Sequence, residues 1–234
     1  MIYVISDIHG CYHTFQKLLD SIHFSKNDLL ICLGDTIDRG KYNLPLLEFF
    51  MTTHNAILIK GNHEYFFECC MNGSLREDSW SNFGGNTTIN ELRTKSHEET
   101  IDYYLYVKNL PLYYEMNNYI LSHNGFSIDL PFAKDSNDVI DVAKTIELQY
   151  AEDAYYFIIS TDIHDTHRMP RLKLNKKMII GHVPTLRFNG PKIYHTDNYI
   201  DIDCGASCNN GRLGCLCLDD MSEHYMDIEP IDME

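Results

Sequence analysis

What this chain lacks first is positive charge: 19 Lys+Arg stand against 34 Asp+Glu in 234 residues, for a formal net charge of −15 at pH 7. A surface of that sign repels nucleic acid and anionic membranes, so neither is expected as a partner. Also missing is any apolar run near the roughly 18 residues that a membrane-spanning helix needs. Met1 leads directly into Ile2-Tyr3-Val4-Ile5 without a basic stretch or a long apolar segment. No secretory signal is therefore expected, and the chain reads as cytoplasmic. Internal repeats, low-complexity tracts and Pro- or Ser-rich linkers are absent as well, which predicts a single domain over residues 1–234. No heptad pattern marks an assembly.

Cysteine is not scarce, but in a chain without an export signal its eight cysteines are expected as free thiols. Cys204, Cys208, Cys215 and Cys217 are spaced C-x3-C and C-x-C, unlike the paired C-x2-C knuckles of zinc sites, and Cys215 and Cys217 alternate with Leu216 and Leu218 as in a strand. Buried, inert cysteines are the expectation. The 44% hydrophobic content supports a sizeable core.

Short apolar runs at Ile2 to Ser6, Leu29 to Leu33 and Ala56 to Lys60 predict strands. Between them, Phe15, Leu18, Leu19 and Ile22 share one face of a helix over His13 to Ile22, and Leu44, Leu47 and Phe50 one over Asn43 to Met51. The alternation predicts a layered α/β architecture with ligand groups at the carboxyl ends of strands. Further helices are expected at Glu64 to Met71, Thr87 to Leu92, Glu98 to Val107 and Asp138 to Tyr150. Pro111 punctuates the chain before Tyr113 to Met116, and further strands are expected at Tyr119 to Ser122, Lys177 to Ile180, Lys192 to Thr196, Tyr199 to Asp203 and Gly214 to Leu218.

The chemistry gathers at the ends of the apolar runs. In Asp7-x-His9 the strand period of two points a carboxylate and an imidazole to one side, where both can grip one ion. Asp35 follows Gly34, and a carboxylate there can bridge two ions. Asp38-Arg39 adds a second carboxylate and a guanidinium whose planar fork suits a phosphoryl group. Asn62 offers an amide oxygen to a metal, and the adjacent His63 is free to stay off the metal and donate a proton. His123 and His182 each follow an apolar run, and imidazoles suit Mn, Fe or Zn better than Mg or Ca. One such residue alone is more often a turn or cap residue, but five strand ends presenting ligands together point to a metal site.

The series Asp7-x-His9-Gly10, Gly34-Asp35-x2-Asp38-Arg39-Gly40, Gly61-Asn62-His63-Glu64, His123-x-Gly125 and Gly181-His182-x-Pro184 resembles the metallophosphoesterases of the PPP-type serine/threonine phosphatase family, notably the bacterial and phage members. Trp80 with Gly84-Gly85 and Thr88, Leu110-Pro111-Leu112, and Asp201-Ile202-Asp203-Cys204-Gly205-Ala206 resemble its connecting segments.

The resemblance implies an α/β/β/α sandwich, two mixed sheets flanked by helices, and two divalent metal ions, Mn2+ foremost with Fe or Zn as alternatives. It implies one metal held by Asp7, His9 and Asp35, and a second held by Asp35, Asn62, His123 and His182. A hydroxide shared by the metals would attack phosphorus in line, Arg39 would neutralise phosphoryl charge, His63 would protonate the leaving oxygen and Asp38 would orient it. Arg39 and Asn62 would contact the substrate phosphate. The second phosphate-gripping arginine usual between the two histidine motifs has Arg168 and Arg171 as displaced candidates. Substrate-selecting loops are expected at 126 to 176, where Tyr150, Tyr155 and Tyr156 offer rings. The implied activity is hydrolysis of a phosphorylated protein or small phosphoester. The alternatives are a symmetrical dinucleoside polyphosphate hydrolase and a noncatalytic phospho-ligand-binding relative.

Overall fold

The computed structural model describes residues 1–116, 118–124, 176–197 and 199–233. The first apolar runs form β1 (Ile2–Ile5), β2 (Leu29–Cys32) and β3 (Ala56–Leu58). Helices α1 (Tyr12–Ser21) and α2 (Asn43–Thr52) separate them, and α3 (Asn62–Met71) follows. Then come α4 (Glu77–Ser81), α5 (Asn86–Leu92) and α6 (His97–Lys108). The remaining strands are β4 (Tyr113–Glu115), β5 (Tyr119–Ser122), β6 (Lys177–Ile180), β7 (Tyr194–His195), β8 (Tyr199–Asp201), β9 (Arg212–Cys217) and β10 (Glu223–Asp227). A last short helix, α7, spans Pro230–Met233.

These strands make two five-stranded sheets, ordered β10-β9-β1-β2-β3 and β4-β5-β6-β8-β7. Both are mixed: β1, β2 and β3 run parallel while β9 and β10 return antiparallel, and β5, β6 and β8 run parallel between antiparallel β4 and β7. Alternation along β1 assigns its two faces. Val4 joins Ile31, Leu33 and Leu216 against Leu121, Ile179 and Ile200 of the other sheet, whereas Tyr3 and Ile5 face Phe15, Leu18 and Leu47 of the helices. The expected sandwich of mixed sheets and helices is thus present.

Several boundaries differ from the sequence pattern. Helix α3 starts at Asn62, two residues earlier than predicted, which places Asn62 and His63 in its first turn. The strand expected over Lys192 to Thr196 shrinks to Tyr194–His195, and that expected over Gly214 to Leu218 becomes Arg212–Cys217. Helix α4, strands β4 and β10 and helix α7 were not foreseen. The helix expected at 138–150, the tyrosines at 150, 155 and 156, Gly125, Arg168 and Arg171 lie outside the described residues. All eight cysteines are free. No described helix is long and apolar enough to cross a membrane.

Candidate metal centre

Parallel strands share one carboxyl edge, so the segments after β1, β2, β3, β5 and β6 converge where the two sheets meet. The loops are laced by backbone bonds: Asp7 N donates to Gly34 O at 3.0 Å, His9 N to Asp35 O at 2.9 Å and Gly10 N to Thr36 O at 2.9 Å. A side chain at Gly34 would put its Cβ 2.5 Å from Gly61 N, so glycine is what lets the second and third loops touch. Asp7, His9, Asp35, Asp38, Arg39 and His182 all have left-handed φ, between 48° and 75°. For residues with a Cβ this costs roughly 1–2 kcal/mol each, an expense that structures retain mostly at functional sites.

Two rings of donor atoms result. The side-chain ligand atoms of Asp35, His123 and His182 lie within 4.8 Å of one another, as do those of His9, Asp35 and His63. Asn62 Oδ1 belongs to the first ring, 2.9 Å from both His123 Nε2 and His182 Nδ1. Asp35 Oδ2 stands 3.4 Å from His123 Nε2 and 3.7 Å from His9 Nε2, between the two rings. Asp7 Oδ1 is 4.0 Å from His9 Nε2, while its Oδ2 accepts from Ser6 Oγ and from His182 N. The ligand positions named from the sequence are thus linked into one cluster, with Asp35 between the rings and Asp7 touching His9 and the His182 backbone.

The donor set fits divalent ions. His9 Nδ1 sits 3.0 Å from Ile37 O and His123 Nδ1 2.9 Å from Leu33 O. Each neutral ring donates there and turns the Nε2 lone pair inward, the arrangement of a metal-ligating histidine with its carbonyl partner. His123 Nε2 and Asn62 Oδ1 lie at a spacing near the roughly 3 Å that separates neighbouring ligands held about 2.1 Å from one ion. Electrostatics agree. Burial alone would depress His123, yet the Asp35 charge outweighs it and lifts the imidazole to about 9; a dication would displace that proton. Burial, then the Arg39 charge, holds His9 well below its ordinary value, and burial followed by the His123 charge pushes His182 down to about 3, so both stay neutral. Asp35 is well below the carboxylate range: burial opposes ionisation, but the charges of His123 and His63 prevail. Its Oδ1 also accepts from His63 N at 3.0 Å, at the positive end of α3.

His63 differs from the ligands. Its Nδ1 lies 2.6 Å from Asp38 Oδ2, and its Nε2 lies 3.1 Å from Arg39 Nη2. Burial works against a charge there, but Asp35 and the Asp38 hydrogen bond outweigh it and raise the imidazole above its ordinary value. Asp38 is itself fixed: Trp80 Nε1 donates to it at 2.6 Å and Thr88 Oγ1 at 2.5 Å. Arg39 spans the site, its Nη1 lying 2.9 Å from His9 Nε2 and donating to Ser207 Oγ at 3.0 Å.

Sequence reasoning missed two partners. Wholly buried Glu64 accepts from Asp35 N at 2.8 Å, Gly61 N at 2.9 Å, Thr36 N at 2.8 Å and Thr36 Oγ1 at 2.7 Å, tying the second loop to the third. The signal was an acid three residues after Gly61, the capping-box spacing. The Ser207 contact to Arg39 carries no local signal at all.

A family model for calcineurin-like phosphoesterases matches residues 1–206. A symmetrical bis(5'-nucleosyl)-tetraphosphatase of Coxiella burnetii is 35% identical over 79 residues, 33% of this chain and 27% of its own length. Serine/threonine-protein phosphatase 2 of Salmonella typhimurium is 33% identical over 136 residues, 55% of this chain and 60% of its own. The alignments thus span less than two thirds of either curated relative. A Saccharomyces cerevisiae protein serine/threonine phosphatase with similarity to human phosphatase PP5 superposes with a TM-score of 0.64 at 17% identity, over 97% of this chain and 79% of its own, a likeness of fold. Matched by the family model over most of its length, and with its strand-end motifs gathered into one buried cluster, the chain belongs to the calcineurin-like phosphoesterase family.

Proposed function

We propose that the chain is a binuclear metal-dependent phosphoesterase that hydrolyses phosphate monoesters, with phosphoserine and phosphothreonine of proteins as its substrates in the cytoplasm. The observation that carries this reading is the buried His63–Asp38 pair, 2.6 Å apart and facing Arg39 at the edge of the ligand rings. A site built only to bind phosphate has no need of a proton donor. Asp7, His9 and Asp35 would hold one dication, and Asp35, Asn62, His123 and His182 the other, with Asp35 shared. Manganese is the ion we propose, and the same donors accommodate iron or zinc. When bound, two such ions supply an activated water nucleophile and neutralise phosphoryl charge.

The chain's own groups complete the reaction. Arg39 presents its fork to the phosphoryl oxygens, and Asn62 contributes from the opposite ring. His63 protonates the leaving oxygen while Asp38, held by Trp80 and Thr88, keeps the imidazole turned and charged. The similarity to a symmetrical bis(5'-nucleosyl)-tetraphosphatase supports a second reading, hydrolysis of dinucleoside polyphosphates. Rates with Mn2+ on an aryl phosphate, a phosphoserine peptide and diadenosine tetraphosphate, measured side by side, separate them. The two monoesters are expected to turn over with higher kcat/KM. A clear preference for diadenosine tetraphosphate would establish the second reading, and two bound metals with no hydrolysis of any of the three would leave a phospho-ligand binder.

A further inference from the structure

A cavity of about 560 Å³ opens beside the candidate centre, walled by the loop from Ala206 to Arg212 and by the segment from Asp227 to Pro230 with Met233. Its volume falls within the range of ligand sites. It joins the centre through Ser207, which lines the cavity and accepts from Arg39 Nη1 at 3.0 Å. Because the family match ends at residue 206, the walls come almost wholly from residues after the shared catalytic core. They are also firmly seated. Asp232, wholly buried between wall residues, accepts from Thr14 N at 2.9 Å, Thr14 Oγ1 at 2.7 Å and His13 N at 3.1 Å.

The lining has a definite chemistry. The Ser207 hydroxyl and the amides of Asn209 and Asn210 can meet peptide N–H and C=O groups, and Ile228 with Met233 supplies an apolar side. Among the described residues that line the cavity there is no aromatic ring, and none of them offers a nucleobase a stacking face. Among the described lining residues the one cation, Arg212, is engaged by Asp227 at 2.9 Å and lies 5.0 Å over the Tyr225 ring. Glu229 adds a second carboxylate, paired with Lys17 at 2.6 Å. Additional phosphates of a polyphosphate would meet the carboxylates of Asp227 and Glu229 here.

We propose that this cavity is the subsite for the polypeptide flanking the phosphorylated residue, and so that it selects phosphoprotein over dinucleoside polyphosphate; the inference rests on the phosphomonoesterase reading above. The test compares kcat/KM for a phosphoserine peptide and for free phosphoserine in the wild-type enzyme and in two variants, with aryl phosphate as the reference substrate. Met233→Trp, at a position 41% exposed, fills the cavity, and Asn209→Arg crowds it from an exposed loop. The wild-type peptide is expected to be favoured at least tenfold, chiefly through KM, and each variant to cut that ratio at least fivefold. Hydrolysis of aryl phosphate with a peptide-to-phosphoserine ratio near one, or a ratio that survives both variants, would overturn the subsite alone. A KM for diadenosine tetraphosphate that rises in Met233→Trp while the peptide's does not would overturn it in favour of a nucleotide occupant. Failure to hydrolyse any phosphomonoester would overturn the underlying reading and the subsite with it.

Discussion

His63 is held by one carboxylate and overlooked by another: its Nδ1 lies 2.6 Å from Asp38, and its Nε2 lies 3.8 Å from Asp35 Oδ2. A leaving-group acid works only while protonated. Burial disfavours that proton, yet the two carboxylates more than offset it, so the acidic form persists above the ordinary histidine range. In the metal-loaded enzyme the kcat–pH profile should therefore carry a falling alkaline limb as this proton is lost with rising pH. Asp38→Asn removes one charge and should move that falling limb to lower pH, which a kcat–pH profile reads directly. His63→Asn should lower kcat by about 10²- to 10⁴-fold, while elemental analysis finds the metal content unchanged. Glu64→Gln puts an amide donor among backbone N–H groups now met by carboxylate oxygens. Metal affinity, read by competition with a chelator, should fall by about 10- to 100-fold with the circular dichroism of the fold retained.

At this scale the candidate ligands were legible because each follows its own apolar run. The supports were not. Trp80 and Thr88 were recognised by resemblance, but a chain of letters does not show that they converge on Asp38 from 42 and 50 residues away.

Among the elements, helix ends tell a similar story. N-cap rules look to the adjacent residue, and Cys11 and Tyr42 provide no side-chain cap for α1 and α2. The caps arrive from elsewhere. Asp232 of α7 serves α1, and Glu91 of α5 accepts from Asn43 N at 2.8 Å and Leu44 N at 3.0 Å for α2. Asp232→Ala should lower stability in urea unfolding by about 1–2 kcal/mol, the upper part of the range for a lost cap, and an unchanged midpoint would refute that capping role. The early start of α3 has the same origin. Asn62 and His63 looked like loop residues because no apolar period includes them, yet the Glu64 carboxylate accepts from Gly61 N at 2.9 Å, the acid half of a capping box, and draws both into the first turn.

For the molecule as a whole, the parallel strands were readable since their apolar runs alternate with amphipathic helices, whereas their division between two sheets depends on pairings that hydropathy does not encode. Strand β10, Glu223–Asp227, is a polar edge strand with no buried residue, so alternation could not reveal it. Strand β7, two residues long, is likewise defined by its partner β8 alone. What the two sheets achieve together is the meeting of their carboxyl edges: Asp7, Asp35 and Asn62 come from the side of β1, β2 and β3, His123 and His182 from the side of β5 and β6. The ring of Asp35, Asn62, His123 and His182 draws on both sheets, whereas that of His9, Asp35 and His63 comes from the first sheet alone, so an ion held in the former should also couple the sheets. Ion binding to the native state alone is expected to raise Tm in a metal-concentration-dependent way, and thermal unfolding with and without chelator reads it.

The most direct test of the account is a titration of metal-free protein with Mn2+ while aryl phosphate hydrolysis is followed. Two sites sharing Asp35 predict activity that is absent with chelator and reaches its plateau only as the second equivalent binds; full activity in chelator, or a plateau at one equivalent, would contradict it.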